Sequence, residues 1–207
     1  MRSVSFEMVL RRITTSLSVV IITLTFVGVT TGILLSFNYE PAAGAAYQSL
    51  KVINTEVPYG WLFRKAHQIA GHGVIAIALI QIVVMFLGRQ FRNSWLSAWI
   101  SCIFLTLSVI GLSWTAMILG WNQEGYWRFN IELGTIQAIP LIGAQLRDII
   151  TGGTISTITV QHLYTIHSYI LSTAALILAV LHLIGALWQE KQMVPASELQ
   201  QPEPAST

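Results

Sequence analysis

AHQIAGHGVIAIALIQIVVMFLG, residues 66–88, contains no Asp, Glu, Lys or Arg and is long enough to cross a bilayer as a helix. His67 opens it, and Gln81 follows fourteen residues later. A second charge-free stretch, residues 149–189, carries His167 and, fifteen residues on, His182. At ~1.5 Å and ~100° per residue, either interval spans about 21–22 Å and returns to nearly the same helix face. An imidazole inside a membrane helix is costly enough to need a partner or a task. Two such helices facing each other are spaced to hold two haems, one above the other, by axial side chains. This chain offers three of the four imidazoles that arrangement needs.

Composition places the chain in a membrane. It is 54% hydrophobic and 10% charged, with mean hydropathy +0.64, whereas a soluble domain carries roughly a quarter charged residues. Charge-free segments of spanning length lie at 13–39, at 66–88, between Asn93 and Gln123, and from before His162 to near Trp188. The first is too long for a cleaved signal peptide and is read as a span. The expectation is an all-α, integral-membrane four-helix bundle with four spans. Residues 1–188 form one domain, and the Glu-, Gln-, Pro- and Ser-rich residues 189–207 form a disordered tail.

With the amino terminus on the cytoplasmic or stromal side, that side gains Arg2, Arg11, Arg12, Arg89, Arg92 and Lys191. Lys51, Arg64, Lys65, Arg128 and Arg147 fall opposite. The arginines nearest the span ends favour this orientation. The net charge of +2 says nothing about nucleic acid, and with no basic run to bind it no nucleic-acid partner is expected.

Between the first and second spans, Ala46, Leu50 and Ile53 recur at helical spacing, as in a helix lying in the interface. Residues 132–151 read as short helices interrupted at Pro140 and Gly143, and Trp121, Tyr126 and Trp127 as an aromatic belt. His72 and His162 lie five residues from His67 and His167, about 140° around a helix and off the ligand face. His72 is read as a packing or interhelical hydrogen-bonding residue, and His162 as an interfacial one. Cys102, the one cysteine, is read as a small packing residue.

Several motifs in order carry a resemblance: TEVPYGWLFR at 55–64 followed by His67, WNQEGYW at 121–127, AIPLIG at 138–143, and Thr31-Gly32. Together, from Leu10 to Trp188, the chain resembles the family of cytochrome b6 and the amino-terminal half of cytochrome b. The resemblance implies that His67 pairs with His167 on the iron of a haem b near the positive side of the membrane. It implies that His182 and position 81 serve a second haem near the negative side, where Gln81 replaces an imidazole. Family glycines that let haem press on the first and third spans fall on Gly32 and Ala116 for the positive-side site. For the negative-side site they fall on Ser18 and Cys102. Lost ligand and narrowed walls coincide, so the negative-side site is expected to be degraded. Ser16 replaces the family's haem-tethering cysteine, so no covalently attached haem is expected.

Arg64 and His162 are placed near haem propionates by the same likeness. Gln68 and His162 stand where the family has arginines, and residues 93–95 partly replace its basic ones. Ser172 replaces a helix proline, which implies a straighter fourth span. The implied function is a membrane b-type cytochrome passing electrons through one bis-histidine haem. Its setting would be a quinol-linked respiratory or photosynthetic complex in the bacterial plasma or thylakoid membrane. Other subunits, the lipid bilayer and possible quinone are the implied partners. The alternative is a non-redox accessory or assembly subunit that kept the bundle.

Overall fold

The computed structural model describes residues 6–88 and 96–191. The expectations drawn from Arg2, Arg89, Arg92, residues 93–95 and residues 192–207 lie outside that range. In chain order the elements are α1 (Phe6–Ser36), α2 (Ala46–Thr55), α3 (Gly60–Leu87), α4 (Leu96–Leu119), α5 (Gln123–Gln137), α6 (Gly143–Thr151), α7 (Thr157–Thr165) and α8 (Ser172–Lys191). A π-helical segment, Ile166–Leu171, joins α7 to α8 without a break. Among the described residues, four helical stretches are long and apolar enough to cross a membrane: Met8–Ser36, Gly60–Leu87, Ser97–Leu119 and Thr157–Lys191. The last helix runs through Lys191, and Gln189 within it is buried, so the helix passes the expected end of the domain at 188.

Packing sets the bundle's geometry. α1 lies against α3 and α8, and α4 lies against α8 and α3. The helices therefore close a ring in which α3 faces α8 across one diagonal and α1 faces α4 across the other. The interior has layers. Ile21 from α1, Val74 and Ala78 from α3, Leu105 and Val109 from α4, and Ala175 and Ala179 from α8 form an apolar plug at mid-height. One end is filled by Met85, Ala98 and Cys102, all with zero exposure. Cys102 is thus the packing residue expected.

The other end is capped by the short helices. Ala46, Ile118, Leu119, Phe129, Leu133, Val160 and Leu163 form its core. α5 starts where the Asn122 side chain accepts the Gly125 amide at 2.7 Å, an N-cap that satisfies a free backbone donor. Trp121, Tyr126 and Trp127 meet edge to face, with centroids 6.0 and 5.3 Å apart. Tyr39, just beyond the first span, donates to the Leu119 carbonyl at 2.9 Å and stacks on Tyr164 at 5.5 Å. Burial, and then the neighbouring Tyr164, hold its pKa above the ordinary phenol value, so it stays a donor.

The π-helical segment resolves a mismatch in the sequence. At ~100° per residue, fourteen residues fall about 40° short of four turns and fifteen run about 60° past. A π turn takes up an extra residue, so the interval from His167 to His182 behaves like the shorter one from His67 to Gln81. The Ser172 hydroxyl donates to the Ser168 carbonyl beside this segment. Where a straighter helix was expected from the missing proline, the structure has a local widening.

α2 is held against α3 at Gly60, where a Cβ would run into the Ile53 carbonyl. Gly60→Ala is expected to cost about 1–3 kcal/mol by forcing the two helices apart. Gly134, within α5, has nothing within 4 Å of a Cβ, so Gly134→Ala should gain about 0.5–1 kcal/mol from helix propensity alone. Thermal unfolding in detergent checks both, and equal shifts would refute the packing argument.

Candidate haem site

The α3–α8 diagonal carries two polar layers, one on each side of the apolar plug. In the first, His67 of α3 points its Nδ1 at α1, 2.9 Å from the Gly28 carbonyl and 3.1 Å from Thr31 Oγ1. A carbonyl only accepts, so Nδ1 carries the hydrogen and Nε2 keeps its lone pair. His167 lies in the π-helical segment, with Nδ1 2.8 Å from Thr115 Oγ1 of α4. Thr115 in turn donates to the Gly111 and Leu112 carbonyls at 2.9 and 3.0 Å. Its oxygen is thereby the acceptor for His167, which takes the same tautomer.

The two rings face each other with centroids 6.4 Å apart and planes inclined at 57°. An ion bridging two Nε2 atoms through bonds of about 2.0–2.1 Å would set the centroids roughly 6–6.5 Å apart. The separation would fit a metal held by both imidazoles. Gly32 serves the approach: a Cβ there would sit 3.2 Å from His67 Cε1. The Thr-Gly pair on α1 thus supplies one polar and one steric element.

The second layer repeats the plan with different chemistry. Gln81 and His182 are both fully buried, and Gln81 Nε2 lies 2.9 Å from His182 Nε2. His182 Nδ1 donates to the Ala98 carbonyl of α4 at 3.1 Å, so its Nε2 accepts the amide hydrogen. The Gln81 amide also donates toward α1, to Thr14 O at 3.1 Å and Ser18 Oγ at 3.2 Å. The nitrogen of the amide, which has no lone pair to offer a metal, faces the imidazole. The two atoms are in direct contact, closer than the roughly 4 Å that two metal–nitrogen bonds span. Ser18 and Cys102, both with zero exposure, fill the flanks. Gly185 lets α8 close on α4, since a Cβ there would meet Ala98 Cβ at 3.1 Å.

Other expected residues are less central. Arg64 lines a cavity of about 210 Å³ with Tyr47, Leu50, Lys51, Asn54, Gly120 and Asn122, and its Nη1 is 3.5 Å from Leu50 O. It stands one turn before His67. His162 donates its Nδ1 hydrogen to the Ile149 carbonyl, 2.9 Å away, tying α7 to α6. His72 is exposed on α3, with no hydrogen bond among the described residues, so it is not the interhelical contact expected. Ala116 is exposed on α4. The preceding residue, Thr115, is fully buried and meets His167. Sequence reading passed over Thr115. Its signal was the parallel between Thr31-Gly32 and Thr115-Ala116, each a hydroxyl beside a small residue.

The family profile described as cytochrome b/b6/petB matches residues 5–190. The chain is 27% identical over 159 residues to cytochrome b6 of Oltmannsiellopsis viridis, covering 76% of this chain and 74% of that one. It is 28% identical over 155 residues to cytochrome b6 of Mastigocladus laminosus, covering 74% and 72%. Its fold resembles a chain of a solved structure, "Hyperthermophilic respiratory Complex III", with TM-score 0.73 at 19% identity. The whole chain is covered there, but it spans only 53% of that longer chain. With four apolar helices of spanning length and a family match over almost its full length, this integral membrane protein belongs to the cytochrome b/b6 family.

Proposed function

We propose that the chain is a b-type electron carrier holding one haem between His67 and His167, with the second haem position replaced by protein. The single observation carrying this reading is the contrast between the layers. The His67 and His167 rings stand 6.4 Å apart, whereas Gln81 and His182 are bonded directly at 2.9 Å. The chemistry of the donor set agrees: two neutral imidazoles whose other nitrogens are held by neighbours suit six-coordinate haem iron.

A bound haem supplies a one-electron iron couple. The residues around it do the rest. Gly28, Thr31 and Thr115 orient the two rings, and the apolar plug beneath them keeps the surroundings dry. His67 and His167 would hold the haem by rigidly placed nitrogens, and the group would supply one-electron chemistry suited to outer-sphere transfer. Gly32 leaves room at the α1 wall, and Arg64 is positioned to offset haem carboxylates from one turn away. Ser16 carries no thiol, so attachment is non-covalent. Family membership supports a place among other subunits of a quinol-linked electron-transfer complex, in a plasma or thylakoid membrane. The chain spans about half of its structural neighbour's length.

The pyridine haemochrome of purified protein tests the haem count. One haem b per chain is expected, lost in both His67→Ala and His167→Ala and retained in His182→Ala. Two haems per chain would refute the replacement of the second site, and none would refute the carrier. Gln81→Leu should leave the haem spectrum unchanged. It should also lower stability by about 1–3 kcal/mol, because His182 loses a buried partner. An unchanged thermal midpoint would show that the Gln81 bond has no structural weight.

A further inference from the structure

Both members of the His67–His167 pair have a threonine hydroxyl and a backbone carbonyl near Nδ1, Thr31 and Gly28 for His67 and Thr115 and Leu112 for His167, but the hydroxyl is the closer partner only at His167. His67 reaches a backbone carbonyl, Gly28 O, at 2.9 Å, and no side-chain substitution can remove that acceptor. His167 reaches a side chain, Thr115 Oγ1, at 2.8 Å. Thr115 is fully buried, and its own hydrogen is committed to carbonyls of the preceding turn of α4. It presents His167 with an oxygen lone pair. Resting on the reading of His67 and His167 as haem ligands, we infer that Thr115 is a positioning residue that fixes the tautomer of His167 and tunes the iron through it.

The physical argument has two parts. A hydroxyl already donating backward can only accept from Nδ1–H, so Nε2 is kept free of hydrogen. Accepting that hydrogen also draws positive charge from the ring and makes Nε2 a stronger donor. A more basic ligand stabilises the more highly charged ferric state over the ferrous one, so the bond lowers the reduction potential. The second effect is on orientation. His167 belongs to the π-helical segment Ile166–Leu171, where the backbone ladder is irregular. A contact to the neighbouring helix is what holds the ring at its observed tilt of 57° to His67.

Redox titration and low-temperature electron paramagnetic resonance of the purified full chain, with haem stoichiometry alongside, test this in Thr115→Val and Thr115→Ser. Valine keeps the shape and removes the hydroxyl; serine keeps the hydroxyl. The valine variant is expected to keep its haem, shift its midpoint potential upward and change its low-spin g-values, while the serine variant returns both to wild-type values. If valine abolishes haem binding and serine restores it at the wild-type potential, the hydroxyl is equally implicated. A valine variant with wild-type potential and spectrum overturns the inference while leaving the haem assignment intact. A serine variant that fails as valine does also overturns it, because packing of the methyl would then be the cause. Wild-type protein without haem overturns both.

Discussion

The separation of two imidazole rings across the α3–α8 diagonal is the constraint on which the site depends. Neither histidine reaches the other through helix contact, because these two helices face each other across the bundle and do not share a wall. Each ring is instead fixed by its lateral neighbour: His67 by α1 through Gly28 and Thr31, His167 by α4 through Thr115. The α1–α4 diagonal therefore determines the geometry of the α3–α8 diagonal. Any change that rotates α1 or α4 would move a ring without touching it.

The same wiring recurs one layer away with the opposite result. Gln81 is held by α1 through Thr14 and Ser18, and His182 by α4 through Ala98. The same pattern of supports is present, yet the amide closes directly onto the imidazole. In an apolar interior an unpaired imidazole is expensive, and glutamine supplies the donor that His182 requires. The cost is not fully relieved, since Gln81 Oε1 is buried with no hydrogen-bond partner among the described residues. The four helices are thus joined at this level by hydrogen bonds among side chains and backbone.

Much of this was legible in the sequence, because membrane helices announce themselves by the absence of charge and buried imidazoles by their spacing. The four spans follow from the first signal and the co-facial intervals from the second. The helix around Ala46 and Ile53 follows from apolar spacing, the packing role of Cys102 from its apolar surroundings, and the pairing of His67 with His167 from the family resemblance. Three features did not follow. The π-helical segment cannot be read from side-chain types, although the unequal fourteen- and fifteen-residue intervals implied that some compensation was needed. Thr115 was hidden behind its neighbour Ala116, because attention to space for a macrocycle favours small residues over the hydroxyl that orients a ligand. His72 is placed off the ligand face by its angle from His67 and reads as a packing or interhelical hydrogen-bonding residue, whereas that angle carries it to the outer surface.

Anomalous diffraction at the iron edge from crystals of the purified protein would test the central claim most directly. The account predicts one iron peak per chain, on the line between His67 and His167, with none between Gln81 and His182. A peak at the second position, or none between the two histidines, would contradict it.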